Sequence, residues 1–97
     1  MQLSLTIDEL KEKILPFLKK CGISNAGIFG SFVRGDLDEE SDIDIVIEFE
    51  KDITLFDFID IKLELEEILN KKADLVEYSA LKPFIRDSIL KEQVIIL

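Results

Sequence analysis

Histidine is absent from this 97-residue sequence, and cysteine occurs once, as Cys21. Without histidine the chain cannot form Ser-His-Asp or Cys-His nucleophilic sites, and it lacks the usual His/Cys ligands of zinc. A lone cysteine cannot form a disulfide within the chain, and its apolar helical surroundings predict a buried or half-buried thiol. Any chemistry must therefore use carboxylates, hydroxyls, lysine or arginine.

Basic residues are few, with 12 Lys and Arg against 21 Asp and Glu and a formal net charge of −9. Because sequence-independent binding of DNA or RNA relies on cations set against phosphates, this balance argues against direct contact with nucleic acid. No apolar run approaches membrane-spanning length, and no basic segment precedes an apolar one at the N-terminus. We therefore expect a cytoplasmic protein without membrane contact, and its acidic surface suits a basic partner protein or a metal-bound ligand.

Glycine and proline are sparse, at 4 and 2 residues, while 47% of the residues are hydrophobic, which predicts a folded chain. The length predicts a single domain over residues 1–97. Helical and strand patterns alternate along it: helices from residue 6, over 54–69 and over 81–92, and strands over 25–30, 41–50, 71–79 and 93–97. With a helical turn after Gly30, this order predicts an α/β (α+β) fold: a small mixed sheet of about four strands flanked by helices.

Two of the helices carry capping signals, because Thr6 is followed by Glu9 and Thr54 by Asp57. Pro16 lies inside the first helix as a candidate kink. The helix over 54–69 has apolar residues on more than one stripe, which indicates either burial on two sides or an interface.

The segment GSFVRGDLDEESDIDIVIEF, residues 30–49, holds the candidate chemistry. Gly30 ends a strand, and the turn that follows could present backbone N–H groups to an anion. The P-loop pattern nearly matches up to Gly35 and then fails, because Asp36 stands where lysine is required. A calcium loop counted from Asp36 fails too, because Ser41 and Ile47 stand where glycine and glutamate are required. For the Gly-Ser pair alone, an ordinary strand-to-helix turn is the preferred interpretation.

Asp42 and Asp44 open the next strand, although aspartate is depleted in strands and like charges on one face repel each other. Side chains two residues apart in a strand point the same way, at a spacing of about 6.5 Å. A divalent cation would remove the repulsion, and Mg²⁺ typically takes one or two carboxylates together with water and phosphate oxygens. For the pair alone, a helix cap or an ion pair with Arg34 is an equal alternative.

Taken together, Gly30, Ser31, Asp42 and Asp44 form the pattern G-S-x10-D-x-D, with Arg34, Gly35 and Ser41 inside it. This pattern resembles that of the DNA polymerase β-like nucleotidyltransferases, and above all their smallest stand-alone members, the minimal nucleotidyltransferases or MNT domains. The resemblance spans nearly the whole chain, because family members carry a third carboxylate after the long helix, where Asp74 lies, and a similar C-terminal helix and strand.

The resemblance implies a role for each matching residue. Gly30 and Ser31 would bind the β- and γ-phosphates of ATP, and Arg34 would contact phosphate or pin the acidic loop. Asp42 and Asp44 would bind two Mg²⁺ ions, with Mn²⁺ as the alternative metal. These two aspartates are thus both metal ligands and catalytic residues.

Asp74 would complete the metal site as its third carboxylate. Glu48 and Glu77 are alternatives for this position, because a shift in strand register exchanges the faces of a strand. Glu48 is expected on the same face as Asp42 and Asp44, and Glu77 on the face opposite to Asp74.

The resemblance also implies a partner. Stand-alone MNT domains are typically antitoxins of HEPN-domain ribonucleases, onto which they transfer AMP from ATP at a tyrosine hydroxyl. A hetero-oligomer with such a toxin is expected, and the sequence leaves open whether the chain alone forms a homodimer. Two other functions are open: an antitoxin that acts by binding alone, through the helix over 54–69, and an enzyme that modifies a small hydroxylated molecule.

Overall fold

The sheet and helices follow the predicted order along the chain. A computed structural model describes residues 6–30, 33 and 42–97. Its main elements are helices α1 (Ile7–Lys20), α2 (Leu55–Leu69) and α3 (Pro83–Glu92) and strands β1 (Ile23–Phe29), β2 (Ile43–Phe49), β3 (Ala73–Glu77) and β4 (Val94–Ile95). The strand order is β3-β2-β1-β4, with β2 and β3 parallel and β1 antiparallel to both β2 and β4. The predicted four-stranded mixed sheet with flanking helices is therefore confirmed.

The helix starts follow from the capping residues seen in the sequence. The Thr6 side chain accepts a hydrogen bond from the Glu9 N–H at 3.1 Å, and Thr54 and Asp57 form a complete capping box. Each cap satisfies backbone donors that a helix leaves unpaired at its first turn. Helix α1 continues through Pro16 from Ile7 to Lys20, so the candidate kink does not end it.

Several strand bounds differ from the prediction: β1 begins at Ile23 rather than at residue 25, and β2 begins at Ile43, which leaves Asp42 just before the strand. Strand β4 covers only Val94–Ile95 rather than residues 93–97, because the pairing next to it is irregular: Ile96 and Leu97 both donate to the Ala26 carbonyl. A short 3-10 helix, Tyr78–Ala80, also separates β3 from α3 where the sequence predicted a longer strand. A two-residue strand and a single turn carry too little sequence pattern to be predicted.

The core lies between one face of the sheet and helices α1 and α2. Strand residues that alternate toward this face form it together with one stripe of each helix: Ile28, Ile43, Ile45, Ile47 and Leu75 with Leu10, Ile14, Leu18, Ile61, Leu65 and Leu69. Cys21 packs against this cluster and is half-buried, as predicted, and burial raises the pKa of its thiol. Among the described residues, no helix is both long and apolar enough to cross a bilayer, and the cytoplasmic location stays a prediction.

The second apolar stripe of α2 is exposed. Leu55 and Phe56 are 70% and 79% exposed, and Ile59 and Leu63 are 42% and 53% exposed. Spacings of three and four residues place these side chains on one side of the helix. Burial on two sides is therefore not what this structure shows, and the second stripe is exposed in the part of the chain that the structure describes.

Two leucines on α2, one in the buried stripe and one in the exposed stripe, test which stripe belongs to the core. We expect Leu65→Ala to lower the free energy of unfolding by about 3 kcal/mol, because it opens a cavity in the core. Leu63→Ala, its matched control on the exposed stripe, should change that free energy by less than about 0.5 kcal/mol. Urea denaturation followed by circular dichroism measures both, and equal losses would contradict the assignment of the two stripes.

Candidate functional site

Strand register brings two of the predicted carboxylates together. Asp44 on β2 pairs with Asp74 on β3 and with Phe29 on β1. Paired residues of neighbouring strands project to the same face of the sheet, with the strands about 4.8 Å apart. Asp44 and Asp74 therefore lie side by side on the face opposite the α1–α2 core, with Asp44 half-buried and Asp74 exposed.

Gly30 closes this site at the end of β1. Its φ of +75° lies in the left-handed region that L-residues with a side chain rarely adopt. A Cβ here would stand 3.0 Å from Cγ and 3.3 Å from Cβ of Asp44 and would overlap its carboxylate oxygen Oδ2. The absence of a side chain at Gly30 is thus what lets the Asp44 carboxylate lie directly against the turn.

Val33 is the next described residue after Gly30, and its backbone is helical. The Val33 N–H donates to the Gly30 carbonyl at 3.1 Å, and Val33 packs against the core. Ser31 and Arg34, which the sequence predicted as nucleotide-binding residues, lie outside the described residues. Asp42 is described, as an exposed residue immediately before β2.

The structure separates the alternatives for the third carboxylate. Glu77 pairs with Ile47, a core residue, so its backbone position belongs to the opposite face of the sheet from Asp74. Glu48 pairs with Asn25 at the far end of β2 and accepts a hydrogen bond from the Asn25 side chain. Of the three carboxylates considered, only Asp74 is next to Asp44.

The chemistry of this site suits a magnesium ion that arrives with a nucleotide. Within residues 6–30, 33 and 42–97, no three acidic or cysteine side chains come close enough together to hold a metal ion by themselves. Mg²⁺ needs only one or two protein carboxylates when phosphate oxygens and waters complete its shell. Asp44 and Asp74 provide two hard oxygen donors beside Gly30, which has no side chain to block a ligand, so the residues fit a metal–nucleotide complex.

Two residues of this region were missed by the sequence analysis. The Lys72 carbonyl accepts from the Ile43 N–H at 2.9 Å, so this lysine lies immediately before β3, two residues before Asp74. Glu92, the last residue of α3, accepts from the Gly30 N–H at 3.0 Å through its Oε1. The alternation of β3 could have suggested Lys72, whereas no local pattern connects Glu92 with Gly30.

A groove of about 450 Å³ lies on the same face of the sheet as Asp44 and Asp74. Its lining residues include Glu48, Tyr78, Arg86 and Gln93. The Tyr78 hydroxyl donates to the Gln93 side chain, and Arg86 donates to the Tyr78 carbonyl at 3.2 Å. Burial raises the pKa of Tyr78, the hydrogen bond with Gln93 opposes this rise, and the charge of Glu48 adds to it. These contacts attach α3 to the 3-10 helix that follows β3.

The role of Gly30 can be tested against another glycine of the same conformation. Gly22 has a φ of +77°, but nothing lies within 4 Å of a Cβ placed there. We expect Gly22→Ala to lower the free energy of unfolding by about 1 kcal/mol through backbone strain alone. Gly30→Ala should cost about 2 kcal/mol more, because the new methyl group overlaps Asp44. Equal losses in urea denaturation would show that the Asp44 contact has no energetic consequence.

Known proteins that are similar in sequence to this chain are nucleotidyltransferases. Residues 12–97 match the family model described as Polymerase beta, Nucleotidyltransferase. A Methanocaldococcus jannaschii protein named as a protein adenylyltransferase is 44% identical over 93 residues, covering 96% of this chain and 100% of that one. The protein adenylyltransferase MntA of Thermococcus cleftensis is 41% identical over 95 residues, covering 93% and 95% of the two chains.

Solved structures with a similar fold include a minimal nucleotidyltransferase and toxin–antitoxin complexes. A minimal nucleotidyltransferase superposes with a TM-score of 0.78 at 34% identity, covering 87% of this chain and 86% of that one. A toxin–antitoxin complex with AMP-PNP gives a TM-score of 0.80 at 19% identity over 90% and 72% of the chains.

The structure of a tri-AMPylated Shewanella oneidensis HEPN toxin in complex with MNT antitoxin superposes with a TM-score of 0.74 at 16% identity. The match covers 93% of this chain and 71% of that one. The last two likenesses, at under 25% identity, show the fold alone. The family match and the two relatives confirm the resemblance that the sequence predicted. The chain therefore belongs to the polymerase β-like nucleotidyltransferase family, and it is a nucleotidyltransferase.

Proposed function

We propose that this enzyme transfers AMP from ATP to a tyrosine hydroxyl of a HEPN-type ribonuclease toxin and thereby acts as its antitoxin. The observation that carries the proposal is the Asp44 carboxylate, which lies against Gly30 with Asp74 beside it. The names of the relatives support AMP transfer to a protein, and the complex of an AMPylated HEPN toxin with an MNT antitoxin supports the acceptor.

In this proposal, the turn at Gly30 and Ser31 receives the β- and γ-phosphates, and Arg34 either contacts them or pins the acidic loop. Asp42, Asp44 and Asp74 would hold Mg²⁺, or Mn²⁺, which neutralises phosphate charge and lowers the pKa of the acceptor hydroxyl.

The transfer itself exchanges one bond for another. The acceptor oxygen forms a bond to the α-phosphorus of ATP, and the bond from that phosphorus to the bridging oxygen of the β-phosphate breaks. Pyrophosphate leaves, and the proton of the hydroxyl passes to a carboxylate oxygen of Asp74. The exposed position of Asp74 suits this role, because a side chain of another protein must reach it.

The charge of the chain favours a protein acceptor with a basic surface. A net charge of −9 attracts a basic, RNA-cutting protein over a distance and repels a nucleic-acid acceptor. The proposed assembly is a hetero-oligomer of this chain, as one domain over residues 1–97, with the toxin.

Replacing the carboxylates tests the enzymatic proposal. We expect Asp44→Asn and Asp74→Asn each to slow AMP transfer by about 100-fold or more, because each change replaces an anionic oxygen ligand of the metal with a neutral amide. Glu77→Gln is the matched control on the same strand as Asp74 and should stay within about twofold of the unmodified enzyme, because its backbone position belongs to the opposite face. The assay incubates the enzyme with α-labelled ATP, Mg²⁺ and the purified toxin, and intact mass then reports AMP on each chain.

Full transfer by Asp44→Asn would contradict the proposed site. Labelled AMP on a small hydroxylated molecule, without any toxin present, would instead support the alternative of a small-molecule acceptor.

A second candidate function, neutralisation of the toxin by binding alone, is favoured by the exposed stripe of α2. Leu55, Phe56, Ile59 and Leu63 form a continuous apolar surface on this helix. Apolar residues gathered into one exposed patch mark an interaction surface more often than scattered ones do. Binding through this surface requires no transfer chemistry, so the two functions can be separated by variants.

We expect the double variant Ile59→Glu/Leu63→Glu to weaken the complex with the toxin by about 100-fold, because it places two charges in an apolar contact. The control is Lys11→Glu/Lys13→Glu, which adds negative charge at exposed positions on α1 and should change the affinity by less than about threefold. Isothermal titration calorimetry measures both affinities. If Asp42→Asn/Asp44→Asn still neutralises the toxin in cells and no AMP is found on it, binding suffices.

A further inference from the structure

The hydrogen bond between Gly30 and Glu92 joins the phosphate-binding turn to the last residue of α3. The Gly30 N–H donates to Glu92 Oε1 at 3.0 Å, across a separation of 62 residues in sequence. Gly30 is buried and Glu92 is half-buried, so this contact is not an exposed surface pairing. Gly30 therefore has carboxylates from two different elements against it, Asp44 at its Cα and Glu92 at its N–H.

Helix α3 is held in place near its C-terminal end, where Glu92 lies. Ile89 is buried, and the Gln93 N–H donates to its carbonyl at 2.8 Å to end the helix. The next side chain, Gln93, accepts from the Tyr78 hydroxyl, and Arg86 donates to the Tyr78 carbonyl at 3.2 Å. Immediately afterwards the chain enters β4, which pairs with β1. The backbone of Glu92 is thus held on both sides, so the carboxylate that contacts Gly30 extends from a fixed part of the fold.

The geometry points to Glu92 as a positioning residue of the nucleotide site: its carboxylate fixes the Gly30 peptide, and so the start of the phosphate-binding turn, relative to Asp44. This inference rests on the proposed function, in which that turn receives the phosphates. A turn in the left-handed conformation at its first residue has few local restraints, because glycine adopts many backbone conformations. Errors of about 1 Å in the position of a binding group can reduce rates about 100-fold, so holding this peptide matters for binding and transfer.

A carboxylate at this place could act in the opposite way, as a negative charge that competes with the phosphates. The two roles differ in what they require of the side chain. Positioning requires an acceptor oxygen at the reach of glutamate and no charge, whereas competition requires the charge. Glutamine keeps the reach and the acceptor oxygen without the charge, and aspartate keeps the charge with a shorter reach.

The experiment therefore compares Glu92→Gln with Glu92→Asp. Calorimetry with Mg²⁺ and AMP-PNP measures nucleotide affinity without any transfer, and hydrogen exchange of the Gly30 amide, followed by NMR, measures the hydrogen bond itself. For Glu92→Asp we expect the dissociation constant to rise about tenfold, as for the loss of one hydrogen bond, and the Gly30 amide to exchange at least about tenfold faster. For Glu92→Gln we expect rescue: an affinity within about threefold of the unmodified protein and a protected amide.

The exposed Asp87 on the same helix provides the control, and Asp87→Glu should leave both measurements unchanged. In the transfer assay, Glu92→Asp should raise the KM for ATP more than it lowers kcat, which a general loss of folded protein would not do. Thermal unfolding of each variant shows how much protein is folded during these measurements.

Several results would overturn the inference. Tighter nucleotide binding by Glu92→Gln would identify the carboxylate as a competitor. Weaker binding by Glu92→Gln with unchanged binding by Glu92→Asp would assign the effect to the charge, and equal weakening of both variants would show that a neutral acceptor oxygen does not suffice. Unchanged affinity in Glu92→Asp with a fast-exchanging Gly30 amide would show that the bond exists without positioning the site. Those results leave the proposed function intact, whereas a failure of the unmodified protein to bind Mg²⁺ and AMP-PNP would remove both.

Discussion

The contact between the Asp44 carboxylate and Gly30 is the constraint on which the rest of the site depends. It requires a residue without a side chain at the end of β1, a strand register that sets Asp44 opposite Phe29, and a backbone turn with positive φ. Each of these conditions comes from a different part of the fold. Together these conditions place a carboxylate beside the Gly30 peptide, where a fixed charged group can contribute to binding of a metal–phosphate complex.

The sheet has two faces with different tasks. One face supplies isoleucines to the core beneath α1 and α2, and this packing fixes the strands that carry the aspartates. The other face carries Asp44 and Asp74 and receives α3 near its far end. Because side chains alternate along a strand, the same seven residues of β2 build the core and the site. Stability and chemistry are thus coupled through one strand.

The charges and the exposed apolar surface describe the type of partner that this chain suits. Helix α2 combines an exposed apolar stripe with five acidic residues and one lysine, Lys62. Two copies facing each other through this surface would bring like charges together, whereas a basic protein would find complementary charge around an apolar centre. The same surface therefore serves both proposed functions, as a docking site for an AMP acceptor or as the contact of a binding antitoxin.

The sequence alone determined the local features. The alternation of β2, the caps at Thr6 and Thr54 and the G-S-x10-D-x-D pattern were readable because each depends on residues close together in the chain. Only the tertiary structure decided which of two apolar stripes on α2 is buried, that Asp74 rather than Glu77 stands next to Asp44, and that Glu92 holds Gly30. These depend on the register and packing of segments far apart in sequence, which residue periodicity within one segment does not specify.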